Sequence, residues 1–406
     1  LNIGIMSITD LIDYISGVNI IHRGATESQP TIKYRGSSSN HFVFLIDGVR
    51  SFHSNIIFDN LNFPFDIDDL DYVEINTSPS SQKYGFSSSG VILNFVLKKY
   101  DSFAAKFNSE TGDYSHSKLY LDTNIPLGQS NHTLSLHSKN NDGFIYNSDI
   151  AMQKMLYRFS LKDEKSALNI MFGTFLDEHG VIAKSETSKY PTEKYNNSFF
   201  NSRISHNFKK MSLISHTHWN ESEYSYVSGN NINNYIITDA GYDFKGERIT
   251  KTQQSTFGFS FARKTISNLL NSEIQRDRFN IFYNDVVKKG SFIYSDGFSA
   301  NYADDFGWKY SYGIQLKYLL TNDLKISYEY DDGYKLPSFF EQYSSFGQWR
   351  GNSNIESESV KTNEIGLSIN NNILKLEVSL FHRLTKNALD WEFSDLDNYW
   401  MAVNIP

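Results

Sequence analysis

Near the start of this chain, Arg35, Asp47 and Arg50 stand in or beside short apolar segments. A charge among strand-forming residues needs a partner, because burying it alone costs several kcal/mol. The chemistry on offer is a polar lock: charges on one element bonded to opposite charges on another, weakly enough to be rearranged. The competing reading has Arg35 satisfying carbonyls within its own segment. Asp66, Asp68, Asp69 and Asp71 crowd four carboxylates into one short run. The central Gly and terminal Glu of an EF-hand are missing, and a run of charge normally faces water, so a solvated turn is expected. His216 and His218, two apart, share one strand face and a spacing that suits a metal; a polar strand face is the expectation, and no metal site is assigned. Tyr343, Phe346, Trp349 and Arg350 combine aromatic rings with a cation, as ligand-facing surfaces do. The chain has no GxSxG elbow, GxGxxG or phosphate loop, and no HExxH. Enzyme chemistry therefore has no anchor, and no cofactor is expected.

These residues sit in a chain of unusual texture. It has 406 residues, a net charge of −8, no cysteine and 15% aromatic residues. The missing cysteines exclude structural disulfides and Cys-based metal or redox sites, and the acidic balance argues against a nucleic-acid partner. Mean hydropathy is −0.45, and no apolar run is long enough for a membrane-spanning helix. Many aromatics in so polar a chain suit a transmembrane β-barrel, in which lipid-facing and lumen-facing residues alternate between aromatic girdles. A soluble all-β protein has the same composition, and a girdle would also use Phe346 and Trp349.

Two textures divide the chain. Over residues 1–98 the elements are short. A small helix is expected within 1–18, with Thr9 as N-cap and Gly17 as its stop. Strands are expected at Val18–His22, Thr31–Arg35, Phe42–Asp47, Val73–Asn76 and Val91–Leu97, with one helical turn over Ile67–Tyr72. From about residue 100 a period of two takes over. Phe257, Phe259 and Phe261 oppose Gly258, Ser260 and Ala262; Tyr312, Ile314, Leu316 and Tyr318 oppose Gly313, Gln315 and Lys317; Leu324, Ile326, Tyr328 and Tyr330 oppose Lys325, Ser327 and Glu329; Leu374, Leu376, Val378 and Leu380 oppose Lys375, Glu377 and Ser379. Each apolar set lies on one face of a sheet. About sixteen such strands are expected.

Residues 31–97 resemble the plug domain of TonB-dependent outer-membrane receptors. The matching residues are Arg35 and Gly36; Ile46, Asp47, Gly48 and Val49; Val73, Glu74 and Ile75; Pro79, Ser80, Tyr84 and Gly85; and Gly90, Val91, Ile92 and Asn94. Arg50 follows the second group directly. Thr77-Ser78 stands where that family has Arg-Gly, and Ser89 where it has the first Gly of a pair. A second stretch, 333–366, resembles the family's barrel signature through Gly333, Tyr334, Lys335, Pro337, Glu341, Tyr343, Asn354, Glu358, Glu364 and Gly366, with Ser353 and Ser357 in place of prolines.

The resemblance implies a mixed α/β plug at 1–98 inside an antiparallel transmembrane β-barrel at 99–406, with about 16 of the family's 22 strands present, read as a piece lacking both ends. It implies a monomer in the Gram-negative outer membrane. Its partners would be outer-membrane lipid, a TonB-type energy-coupling protein and a small metal-chelate ligand such as cobalamin, a ferric siderophore or haem. A passive porin or adhesin, and a degenerate receptor, are the alternatives.

Overall fold

Alternating sequence becomes consecutive antiparallel hairpins in the computed structural model. The structure describes residues 7–15, 17–21, 31–34, 42–50, 63–76, 91–181, 191–229, 231–267, 273–345 and 347–406. The large sheet begins with β7 (Ala104–Thr111), β8 (Ser117–Leu127), β9 (Ser130–Asn141), β10 (Ile150–Lys162) and β11 (Ser166–Gly180). It continues through β12 (Thr192–Phe208), β13 (Met211–Ser228), β14 (Asn231–Ile249), β15 (Gln253–Ser267) and β16 (Glu273–Lys289). It ends with β17 (Phe292–Ala303), β18 (Gly307–Leu319), β19 (Leu324–Lys335), β21 (Glu358–Asn370) and β22 (Lys375–Lys386). Each strand pairs with its neighbour in that order, giving a 15-stranded sheet. A separate three-stranded sheet holds β20 (Trp349–Arg350), β23 (Ala388–Ser394) and β24 (Tyr399–Ile405). The expected sixteen strands are thus fifteen in the wall and three outside it, because 388–405 folds back on β20 instead of extending the wall.

One end of the wall has short turns, such as 128–129, 209–210 and 290–291; the other carries long connections, such as 181–191 and 336–357. Gly128 and Gly290 hold positive φ (62° and 57°), which a two-residue hairpin requires and glycine adopts freely.

The wall's two faces follow the period of two. Phe257, Phe259 and Phe261 are 40–45% exposed, whereas Ser260 and Ala262, on the alternate positions, are buried. Register keeps the faces in line: Phe259 lies opposite Phe244 and Ile281. Leu376, Val378 and Leu380 are exposed on the outward side, opposite Ile369, Leu367 and Ile365. Phe259→Arg is expected to cost about 2–4 kcal/mol in a bilayer if it lies near the midplane. Phe259→Leu should cost less than about 1.5 kcal/mol. Equal costs in an unfolding titration from lipid vesicles would mean that Phe259 does not face lipid.

The described residues up to Leu97 build a second, smaller set of elements that packs on the wall as a plug. Its strands are β1 (Val18–Ile21), β2 (Thr31–Tyr34), β3 (Phe42–Ile46), β4 (Val49–Arg50), β5 (Leu70–Asn76) and β6 (Val91–Leu97). β1 pairs with β2, and a four-stranded sheet runs β4-β3-β6-β5 with β3 and β6 parallel. β3 is buried on both faces, so its sequence FVFLI is a continuous apolar run with no alternation. Phe42, Phe44, Phe63, Phe65 and Phe95 form the plug core, and Leu156, Met171 and Phe199 of the wall join it. Each such side chain contributes about 1.5–3 kcal/mol by leaving water.

Helix α1 spans Ile8–Asp13, and its N-cap is Ser7, not Thr9. The Ser7 hydroxyl accepts from the Asp10 amide at 3.1 Å, while Thr9 is buried in the first turn. The helical turn near Ile67 is shorter than expected. Only Ile67–Asp69 forms a 3-10 turn, and Leu70 already begins β5.

Candidate functional site at the plug and barrel wall

The acidic run is not a solvated turn. Asp66 caps the 3-10 turn by accepting from the Ile67 amide at 2.7 Å, and Asp69 accepts from the Asp66 amide at 2.9 Å. Phe63, Pro64 and Phe65, all buried, press this turn against the wall. His137 Nε2 lies 2.7 Å from Asp69 Oδ2, and the Tyr120 hydroxyl donates to Asp69 Oδ1 at 3.3 Å. Lys106 Nζ reaches Asp68 at 2.8 Å, Lys118 Nζ stands 3.5 Å from both Asp66 and Asp68, and Lys154 Nζ donates to the Phe65 carbonyl at 3.3 Å. The His137 ring stacks on Tyr120, centroids 4.5 Å apart. Burial would raise the Asp66 and Asp69 carboxyls. At Asp66 the charges of Lys154 and Lys118, with His137 and the Ile67 amide, together outweigh it; at Asp69 His137, the Asp66 amide and Ser135 together do so, and both end below the ordinary 3.8. Of the four, Asp71 alone is exposed, on β5. The partners lie 38 to 89 residues away along the chain, so nothing local in the sequence marked them.

At the hairpin between β3 and β4, Asp47 and Gly48 both hold positive φ (48° and 78°). A Cβ on Gly48 would meet nothing, so it is the backbone conformation that calls for glycine. Asp47 Oδ1 accepts from the Leu97 amide at 3.1 Å. Asn94 accepts from the Gly48 amide at 2.8 Å and donates to Glu74 at 2.7 Å. Asp47, Gly48, Glu74 and Asn94 therefore knit β3, β6 and β5 together inside the plug. Burial raises the Asp47 carboxyl; the Leu97 amide and the wall's Arg158 and Arg203 oppose it. Arg158 also donates to the Lys98 carbonyl at 2.7 Å.

Arg50 stands in the field of a different part of the wall, β14 and β16. Burial and the nearby Arg278 lower its guanidinium to about 10, against the pull of Asp239 and Asp243. Of the expected lock, Arg50 thus stands within the field of wall carboxylates, and Asp47 is bonded within the plug. Arg35, Gly36, Pro79, Tyr84, Gly85 and Gly90 lie outside the described residues.

The long-loop end carries the second signature. Ser338 and Glu341 form a capping box on helix α2 (Phe339–Tyr343), and Lys335 Nζ sits 3.4 Å from Glu341. Phe339 and Phe340 pack on Tyr224, Tyr235, Ile237 and Ile266, with Tyr343, Trp349 and Trp391 at the margin. Arg276 fastens this segment. It donates to Asp305 at 2.8 Å, to the Pro337 carbonyl at 2.9 Å and to Gln342 at 2.5 Å. Its guanidinium also lies over the rings of Phe339 and Phe306. Sequence reasoning missed Arg276, although its two-residue spacing from Ile274 and Arg278 placed it on the lumen face.

Gly333 and Tyr334 are buried at the end of β19, and Glu358 accepts from the Leu389 amide at 3.1 Å. Glu364 lies opposite Glu329. Trp349 stacks on Trp400 at 5.6 Å, at the margin of the loop-end cluster. Arg350 is exposed, 5.9 Å over Tyr399. Phe346 lies outside the described residues. His216 and His218 share the lumen face, His218 lying 3.6 Å from Asp239. Among the described residues no group of three potential ligands could hold a metal ion.

A long antiparallel sheet of membrane-barrel type with a small mixed α/β unit bonded to one face is the architecture of a plugged outer-membrane barrel. The chain belongs to the TonB-dependent receptor family: the model described as TonB dependent receptor-like, beta-barrel matches residues 52–405, and the TonB-dependent Receptor Plug Domain matches residues 2–92. The vitamin B12 transporter BtuB of Photobacterium profundum is 20% identical over 98% of this chain and 68% of its own length. The siderophore receptor PirA of Acinetobacter baumannii superposes with a TM-score of 0.82 at 12% identity, covering 99% of this chain and 74% of that one. The ferric enterobactin receptor PfeA of Pseudomonas aeruginosa gives 0.81 at 13% identity, with the same coverage. At such identity the solved structures speak for the fold alone.

Proposed function

We propose that this chain carries out energy-coupled uptake of a small metal-chelate ligand across the outer membrane, cobalamin or a ferric siderophore in the first instance and haem after them. The plug extends over residues 1–98 and the wall over 99–406. The observation that supports this most is the polar attachment of the plug: Asp66, Asp68 and Asp69 bonded to Lys106, Lys118, Tyr120 and His137, with Arg50 in the field of Asp239 and Asp243. A plug held by polar contacts blocks diffusion yet can be displaced by work, because polar contacts exchange for water at small net cost.

The ligand first meets the loop-end surface of Tyr343, Phe346, Trp349 and Arg350, near Pro337 and Glu341. Binding there and displacement of the plug are two coupled states of one protein, with the work transmitted by a TonB-type partner. The test is uptake of radiolabelled cobalamin and of a ferric catecholate siderophore by cells making the full-length protein, with and without a protonophore. Surface binding should persist while accumulation stops. Accumulation undiminished by the protonophore would instead make the protein a passive pore, and binding with no accumulation in either condition would make it a receptor that has lost its coupling.

A further inference from the structure

The short-turn end of the wall gathers positive charge on one arc. Lys209 and Lys210 form the turn between β12 and β13, Arg248 and Lys251 stand at the turn between β14 and β15, and Lys288 and Lys289 lead into the turn between β16 and β17. All six are exposed. The three turns lie side by side: the Ile249 amide donates to the Lys210 carbonyl at 3.2 Å, and the Lys288 amide to the Thr252 carbonyl at 2.8 Å. The stretches 208–211, 248–253 and 288–292 contain no Asp or Glu, in a chain whose net charge is −8. The carboxylates just inside them, Glu247 and Asp285, are already engaged, the first by Lys245 at 3.3 Å, the second by Gln253 at 2.9 Å and Ser255 at 2.7 Å.

Like charges held together repel one another, and among the described residues none of these six is in an ion pair. In an outer-membrane barrel the short turns face the periplasm, so the arc sits at the level of the inner leaflet. Apolar side chains are interleaved with the cations: Phe208, Ile249 and Phe292 are 54–60% exposed. A lysine beside apolar surface lays its methylene stem along that surface and carries its ammonium to the polar level. Clusters of about four to eight Lys or Arg at a membrane edge attract anionic lipid. An anionic polymer deeper in the periplasm would complement the charge but not the phenylalanines.

We propose that Lys209, Lys210, Arg248, Lys251, Lys288 and Lys289 form a binding surface for anionic phospholipid in the inner leaflet of the outer membrane. Its ligand is the phosphate of a headgroup with net negative charge, as in phosphatidylglycerol or cardiolipin. The ammonium of phosphatidylethanolamine cancels that charge and with it the attraction. The surface covers only the arc from β12 to β17, so the lipid shell of the barrel is uneven. Anionic lipid gathers on that side and holds the rim at the headgroup level. The surface stands on the wall alone and is independent of what the protein takes up.

The test offers equimolar phosphatidylglycerol and phosphatidylethanolamine to the full-length protein in detergent and counts the retained lipids by native mass spectrometry. Each cation near an anionic surface strengthens binding about fivefold, so the parent should retain phosphatidylglycerol over phosphatidylethanolamine by at least about fivefold. The preference should fade between 0.1 M and 1 M salt, as the screening length falls from about 10 Å to about 3 Å. Lys209→Gln/Lys210→Gln/Lys288→Gln/Lys289→Gln should abolish it. Should that variant fail to fold, Arg248→Gln/Lys251→Gln should still lower it severalfold. Lys194→Gln/Lys386→Gln, exposed at the long-loop end, should leave it unchanged. Equal retention by the parent, a preference indifferent to salt, or one that survives the rim variants would overturn the proposal. An equal loss in the long-loop variant would mean that net charge decides and not this arc. Co-sedimentation with purified peptidoglycan that the rim variants lose, with lipid retention unchanged, would also overturn it and make the arc a cell-wall contact.

Discussion

Asp69→Ala is expected to weaken plug docking by at least about 1–3 kcal/mol, the usual cost of leaving one buried hydrogen-bonding group unsatisfied, because it leaves several. The Asp69 side chain is inaccessible, and its Oδ2 lies 2.7 Å from a His137 ring that is itself almost inaccessible. Alanine also removes the acceptor for the Tyr120 hydroxyl and for the Asp66 amide, so the 3-10 turn loses its capping box. The measurement is a denaturant titration of the detergent-solubilised full-length protein, with protease cutting of the plug as a second readout. A double-mutant cycle with His137→Ala should return a coupling of about 0.5–3 kcal/mol. Additive losses would mean that the pair is not a unit.

The same turn sets a pH dependence. The Asp66 and Asp69 carboxyls are held below 3.8 in the folded protein. The unfolded state therefore binds more protons in the acid range, and stability rises with pH there. The contribution of the turn is complete above the unfolded value near 3.8. It is lost progressively as pH falls below it, toward the depressed folded values. Docking measured from pH 6 down to pH 3 should weaken in the parent and weaken less in Asp69→Ala; parallel curves would refute the assignment.

Arg276→Ala should release the loop-end segment. One guanidinium there serves Asp305, the Pro337 carbonyl and Gln342 while covering two aromatic rings. Its loss leaves a carbonyl and an amide without their donor and opens a space beside Phe339, for about 3–5 kcal/mol in all. The effect should be local. Hydrogen exchange should speed up through Phe339–Ser344 and leave β8 to β10 unchanged. Arg276→Lys should restore part of the loss, because lysine keeps the charge but cannot present the planar fork. Full rescue by lysine would mean that charge alone matters, and acceleration throughout the wall would mean that Arg276 supports the barrel and not the segment.

Some of this was written locally in the chain. Alternation at Phe257, Phe259 and Phe261 determined which face meets lipid, because a strand's side chains must alternate whatever it pairs with. The run FVFLI determined a strand buried on both faces, and Asp47-Gly48 determined a tight hairpin, since its positive φ is a property of two residues. The order of the plug and barrel signatures determined the family.

What depends on residues far apart was decided only by the tertiary structure. Four aspartates within six residues are expected to face water. Asp66, Asp68 and Asp69 instead become a clasp because the fold brings Lys118, His137 and Lys154 to that turn from three different wall strands. Asp47 is spent inside the plug, because Leu97 offers it an amide from 50 residues away. Arg276 is one of several lumen-side charges in the sequence, and it becomes a fastening only where Asp305, Pro337 and Gln342 converge on it. The final strands lie outside the wall, where Trp391 and Trp400 pack on Trp349. Period and turn chemistry act over a few residues and survive in the sequence; partner choice for a buried charge or ring is an energy between segments, and only the folded chain sets it.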